Sequence, residues 1–155
     1  WSSDVCSSDL KSILEDLRCE AVITPHPAEM ARLLGIDAGE VQSNRISLAQ
    51  QFADEYGLTV VLKGAGTVIA TNDGRTAINA TGNNGMATAG AGDVLAGMIV
   101  SLLGQGMSPY DAAAAGAYMH GLAGDLAARE KGMPGLMAQD IASHIPGAFK
   151  HILEA

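Results

Sequence analysis

Aromatic side chains are scarce: Phe, Tyr and Trp together make up 4% of the 155 residues, so the core has to be assembled from aliphatic and small side chains. Cationic charge is scarce as well. Nine Lys and Arg stand against 17 Asp and Glu, a net charge of −8, and the cations are scattered along the chain. That excludes the clustered basic footprint of a nucleic-acid binder. Uninterrupted apolar runs of the roughly 18 residues a membrane span needs are missing; the best candidate, residues 94–106, closes on Gly104-Gln105-Gly106. No membrane association is expected. Cysteine is limited to Cys6 and Cys19, too few for a disulfide framework or a thiolate metal site, which predicts a reducing, cytoplasmic setting. What the chain has in abundance is Gly (19) and Ala (26), a composition that lets backbones approach closely and supplies turns with positive φ.

Residues 1–10 read as a polar stutter without apolar period, signal-peptide character or an initial Met, and resemble translated adapter sequence. Native sequence is expected from about Lys11, with residues 11–155 forming one domain. Within it, residues 21–24 form a short β-prone run, followed by Pro25-His26-Pro27 and then by Met30, Leu33 and Leu34 at helical spacing. A helix over 43–56, with Ile46, Ala49, Gln50 and Ala53 on one face, ends at Gly57 and leads into an apolar strand over 58–63. Two β-prone segments, 67–71 and 76–80, are joined by Asn72-Asp73-Gly74, a hairpin composition. A small-residue stretch from Thr81 to Asp93 then opens a helix over 94–103. Ser108-Pro109 starts a second helix running to about Arg129, and a third over 138–149 is expected to be interrupted near Pro146. Alternating strands and helices make this an α/β protein.

Two glycine-rich segments offer chemistry. Gly90-Ala91-Gly92 leaves amides unobstructed at a helix N-terminus, where unpaired N–H groups and the helix dipole favour a phosphate. The alternative is a tight entry turn into a buried helix. It is neither a Walker A loop, since no Gly-Lys-Ser/Thr follows, nor a Rossmann fingerprint, since the third Gly is missing. Asp93 at the junction reads either as a helix cap or as a catalytic base that positions an attacking hydroxyl. Lys63-Gly64-Ala65-Gly66-Thr67 combines a cation, amides freed by glycine and a hydroxyl, suited to a nucleotide phosphate or ribose. His26 lies at the carboxyl end of a strand, where open α/β sheets bind ligands, or is a solvated turn residue. Glu29, one turn on, can cap its helix, bind a metal-bound water or do neither. His120 and Asp125 fall among small residues of the long helix and are expected to support close packing.

Four segments in order carry a resemblance: Ile23-Thr24-Pro25-His26-Pro27-Ala28-Glu29-Met30, Val61-Leu62-Lys63-Gly64-Ala65-Gly66-Thr67, residues 79–95 from Asn79 through Gly90-Ala91-Gly92-Asp93 to Leu95, and His120-Gly121-Leu122-Ala123-Gly124-Asp125. The chain resembles the ADP-dependent NAD(P)H-hydrate dehydratase family over nearly all of residues 11–155. The resemblance implies a ribokinase-like three-layer α/β/α sandwich, here a C-terminal part lacking the family's N-terminal αβ units. It implies repair of hydrated nicotinamide cofactors: dehydration of the S-form of NADH or NADPH hydrate, coupled to hydrolysis of ADP, or of ATP, with Mg²⁺.

By that resemblance, His26 and Asp93 would contact the hydrate, with Asp93 facing its reacting hydroxyl. Lys63, Gly64, Ala65, Gly66, Thr67 and Gly92 would contact the adenine nucleotide, and Gly90, Ala91 and Gly92 would form the anion loop; no metal ligands are assigned. A fused or separate epimerase and a homo-oligomer, a tetramer, are the implied partners. The family's loop most often reads Gly-Gly-Ser/Thr-Gly-Asp, and Ala89-Gly90-Ala91-Gly92-Asp93 loses a hydroxyl and one Gly while keeping the backbone donors. Two other functions share these features: a kinase of a small hydroxylated metabolite, and a non-catalytic nucleotide-binding remnant.

Overall fold

The structure, a computed structural model, describes residues 12–154. The adapter-like segment expected at residues 1–10 lies outside them. The described chain forms two compact units: the first runs to Gly64 and includes Val68–Ala77, and the second comprises Ala65–Thr67 and the chain from Ile78 onward.

In the first unit, β1 (Val22–Ile23) leads through Pro25 into α1 (Pro27–Leu34), then α2 (Ala38–Ser43), α3 (Arg45–Tyr56) and β2 (Thr59–Leu62), followed by β3 (Val68–Thr71) and β4 (Thr76–Ile78), whose last residue belongs to the second unit. The sheet order is β1-β2-β3-β4. β1 runs parallel to β2 with Val22 opposite Thr59, and β2 runs antiparallel to β3 from the Thr59–Thr71 pair to the Leu62–Val68 pair. Every residue of β2 and β3 is buried, which is why they read as continuous rather than alternating apolar runs. Met30, Val41, Ala49, Phe52, Ala53, Val60 and Leu62 fill the core, and Phe52 stacks on Tyr56 with ring centroids 4.5 Å apart.

The helix expected over 43–56 is α3, starting two residues later, and α2 precedes it as a helix the sequence reading does not predict. Asp37 caps α2 by accepting from the Gly39 amide at 2.7 Å, and α3 begins after Asn44 and ends on Gly57 at φ 64°. Its buried face is Ala49, Phe52 and Ala53, whereas Ile46 is 50% exposed. Gln50 turns to the sheet, donating to the Thr71 carbonyl at 2.9 Å and accepting from the Thr76 hydroxyl at 2.7 Å.

In the second unit, a short 3₁₀ turn (Asn84–Met86) precedes α4 (Ala91–Gly104), α5 (Pro109–Lys131), a second 3₁₀ turn (Met133–Gly135) and α6 (Ala138–Leu153). Ser108 caps α5 through the Asp111 amide, with Pro109 at its first position, as the sequence predicts. A Cβ on Gly116 would lie 2.8 Å from Ile99 Cγ1, so that glycine sets how closely α4 approaches α5. The expected break at Pro146 does not occur: α6 runs through it to Leu153. Pro146 and Ala142, whose carbonyl loses its donor, both lie on the exposed side, while Ile141 and Ala148 are buried on the other. Water can serve the freed carbonyl, and packing keeps the helix continuous. Among the described residues no helix is long and apolar enough to cross a membrane.

Candidate functional site

The turn after β1 holds its polar groups against one another. His26 is the N-cap of α1: its Nδ1 accepts from the Glu29 amide at 3.1 Å, and Glu29 Oε2 accepts from the His26 amide at 2.6 Å, a reciprocal capping box. Because Nδ1 accepts, the proton of a neutral ring sits on Nε2, which lies 3.2 Å from Glu29 Oε1. Lys63 leaves the end of β2, its amide donating to the Pro25 carbonyl at 2.8 Å, and its Nζ reaches to 3.8 Å from Glu29 Oε2. Parallel pairing of β1 with β2 is what brings these three side chains to one end of the sheet. The capping role expected as one reading of Glu29 is realised.

Arg45 was not singled out by sequence reasoning. Its Nη2 donates to the Leu62 carbonyl at 2.9 Å, and the guanidinium lies where a Cβ on Gly64 would be, 2.9 Å from Nη2. Burial holds its pKa below the ordinary arginine value. In a chain with nine Lys and Arg, a desolvated arginine against a glycine of the Lys63–Thr67 segment is a candidate ligand-side cation; its only sequence signal is its scarcity. Gly64 and Gly66 have φ of 147° and 67°. Thr67 offers its carbonyl to the Asn79 amide at 2.8 Å.

In the second unit, the helix expected from Val94 starts three residues earlier. Gly90 is the N-cap in the left-handed region at φ 85°, so Gly92 and Asp93 lie within the first turn of α4. Ala91 donates to the Thr88 carbonyl, and both Asp93 and Val94 donate to the Gly90 carbonyl. The Gly92 amide has no acceptor among the described residues, and the exposed Asp93 carboxylate makes no hydrogen bond or ion pair there. Asp93 is therefore not the cap. An unengaged amide, the positive end of a 14-residue helix and an unengaged carboxylate stand side by side.

The stretch leading to this loop lies on α5. Thr81 donates its hydroxyl to the Tyr118 carbonyl at 2.8 Å; Asp125 accepts from the Gly82 amide and from Asn83 Nδ2, both at 2.9 Å. A Cβ on Gly121 would collide with Thr81, and one on Gly124 with the Met86 thioether. The expected packing role of the segment around His120 and Asp125 is thus realised by its glycines and its aspartate. His120 is mostly buried, which pushes its pKa down, and among the described residues its Nε2 has no hydrogen-bond partner.

Residues 6–147 match the sequence model of a family described as NAD(P)H-hydrate dehydratase. The bifunctional NAD(P)H-hydrate repair enzyme Nnr of Moorella thermoacetica is 53% identical over 86% of this chain and 25% of its own length. The ADP-dependent (S)-NAD(P)H-hydrate dehydratase of Neisseria meningitidis is 48% identical over 78% of this chain and 41% of its own. Among solved structures, the ADP/ATP-dependent NAD(P)H-hydrate dehydratase of Bacillus subtilis, co-crystallised with ATP/Mg²⁺ and soaked with CoA, superposes with a TM-score of 0.81 at 35% identity, covering 84% of this chain and 48% of that one. The chain thus spans about a quarter to two-fifths of the length of these curated relatives. Its mixed sheet and helices are part of a ribokinase-like α/β fold.

Proposed function

The chain belongs to the NAD(P)H-hydrate dehydratase family, and from that premise we propose that it supplies the nucleotide-binding and phosphoryl-transfer part of an enzyme that dehydrates the S-form of NADH or NADPH hydrate while converting ADP to AMP and phosphate. The observation that carries the reading is the head of α4, where the Gly92 amide and the Asp93 carboxylate are both left without partners among the described residues. Hydroxide is a poor leaving group. Transfer of a phosphoryl group to the ring hydroxyl, whose proton is lost as the P–O bond forms, converts it into a phosphate. The ring nitrogen's electron pair expels that phosphate, and loss of a proton from the neighbouring carbon restores the double bond of the reduced cofactor. Asp93 would orient the hydroxyl and accept its proton, and Gly90, Ala91 and Gly92 would hold charge developing on the transferring group.

Lys63, Gly64, Ala65, Gly66 and Thr67 would meet the adenine nucleotide, and His26 the hydrate. No group of three or more acidic, His or Cys side chains among the described residues could cage a metal. A Mg²⁺ ion would be carried on the nucleotide phosphates and water. The ion would neutralise phosphate charge. A homo-oligomer in the cytoplasm, working with a fused or separate epimerase, completes the proposal; the bifunctional repair-enzyme names of relatives support the last part.

The test is recovery of absorbance at the wavelength of reduced nicotinamide when the complete protein meets hydrated NADH, Mg²⁺ and either ADP or ATP, with Asp93→Asn as control. Recovery that needs both nucleotide and Asp93 supports the reading and identifies the donor. Nucleotide binding without recovery would replace it with a kinase of a small hydroxylated metabolite.

A further inference from the structure

The segment from Thr81 to Gly92 has to deliver a loop of defined shape although it is built from small residues and includes Gly82, Gly85, Gly90 and Gly92. Its own propensity cannot hold it. What holds its first half is helix α5: Thr81 is bonded to the Tyr118 carbonyl, and the Gly121 and Gly124 surfaces leave room for Thr81 and Met86 to lie flat. The strongest attachment is Asp125. One carboxylate oxygen accepts from the Gly82 amide and the other from Asn83 Nδ2, each at 2.9 Å. Asn83 uses its remaining oxygen to cap the 3₁₀ turn through the Gly85 amide at 3.0 Å. Each carboxylate oxygen of Asp125 thus has its own donor, and a carboxylate is the one side chain of that size that accepts twice and donates nothing.

We propose that Asp125 is a positioning residue for the anion loop: by clamping Gly82 and Asn83 to α5, it fixes the lead-in from which Gly90, Ala91 and Gly92 present their amides to a phosphate. The inference rests on the reading that this loop receives a nucleotide phosphate. Helix α5 thus carries the support for the entry of the loop.

The clamp has a donor and an acceptor that can be exchanged. Asp125→Asn turns an NH₂ group toward one of two donors; Asn83→Asp sets two carboxylates face to face while keeping the oxygen that caps Gly85. The double variant restores one donor–acceptor pair with the roles reversed. ADP with Mg²⁺ is titrated calorimetrically into the complete protein and the three variants, and amide hydrogen exchange is followed on each without nucleotide. The expected result is affinity weakened about tenfold by Asp125→Asn and more by Asn83→Asp, with recovery to within about threefold in the double variant. Amides of residues 87–93 should exchange faster in each single variant and recover in the double, while those of residues 112–117 keep the parental rate. Unchanged affinity and exchange in the single variants would overturn the proposal. So would a double variant worse than either single one, or faster exchange at 112–117 as well, which would make the effect one of global stability. If the parent protein binds no ADP, the nucleotide reading falls, and the exchange comparison alone decides the role of Asp125.

Discussion

At the end of the sheet, His26, Glu29 and Lys63 turn their polar atoms on one another, whereas at the head of α4 the Gly92 amide and the Asp93 carboxylate face no protein partner among the described residues. The first arrangement is complete as it stands, so a ligand there must compete with existing bonds, and removing a side chain is felt first as lost stability. The second is complete only with a ligand. Removing a side chain there is felt first in binding or turnover. Internal bonding therefore separates groups that hold the fold from groups held ready for chemistry, even where both sit on exposed turns.

That contrast can be broken at several places. The largest effect is expected from Asp93→Asn, which should lower the rate of hydrate repair by about a hundredfold or more with nucleotide affinity retained, read by turnover and calorimetry. Next comes Gly90→Ala. At φ 85° an L-residue costs about 1–2 kcal/mol, and the new Cβ would press on Ala138 Cβ at 3.2 Å, so nucleotide affinity should fall about tenfold with a matching loss in denaturant unfolding. Glu29→Ala should cost about 1 kcal/mol in the same assay by opening the capping box. Glu29→Gln should cost less than half of that, because the amide oxygen still accepts from the His26 backbone; equal losses would move the weight to the contact with Lys63.

The smallest effect is a pH dependence where α5 meets α6. His144 bonds to the Asp140 carbonyl at 2.8 Å and to Glu130 at 3.0 Å, and both raise its pKa, the backbone contact more. A raised imidazole stabilises the fold fully below its unfolded value and ceases to as pH climbs through the folded one. Asp140, held below the usual carboxylate range first by its bond to Lys131, contributes above the ordinary carboxylate value and loses that contribution on acidification. His144→Ala should therefore lower the thermal midpoint slightly more at about pH 5.5 than at about pH 9; an equal shift at both would assign His144 to packing.

Much of the architecture was legible wherever a local signal fixed a boundary. Pro25-His26-Pro27 announced the start of α1, Asn72-Asp73-Gly74 the hairpin, Gly57 the end of α3 and Ser108-Pro109 the start of α5. Helix α2 was missed because six residues containing Gly39 carry too little periodicity, and its Asp37 cap reads as loop. The true start of α4 was missed for a related reason: a glycine-rich turn has poor helix propensity, and burial of Ala91 overrides it. Candidate site residues on glycine-rich loops were recognisable from composition and from their order. Arg45 and the clamp on Gly82 were not, since they join residues 17 and 43 positions apart through bonds that leave no periodic trace.

The glycines of α5 bear on any attempt to make the protein more robust. Replacing helical glycine by alanine is a standard route to a higher melting temperature, because it restricts the unfolded chain and suits the helix by about 0.4–1 kcal/mol. At Gly97 of α4, where a Cβ would meet nothing within 4 Å, the substitution should deliver that gain. At Gly121 and Gly124 the same change would satisfy the helix and evict the strip of chain lying on it. A search guided by melting temperature alone could accept such a change while losing the binding loop. In α5, stability is forgone at the positions where the loop needs the space.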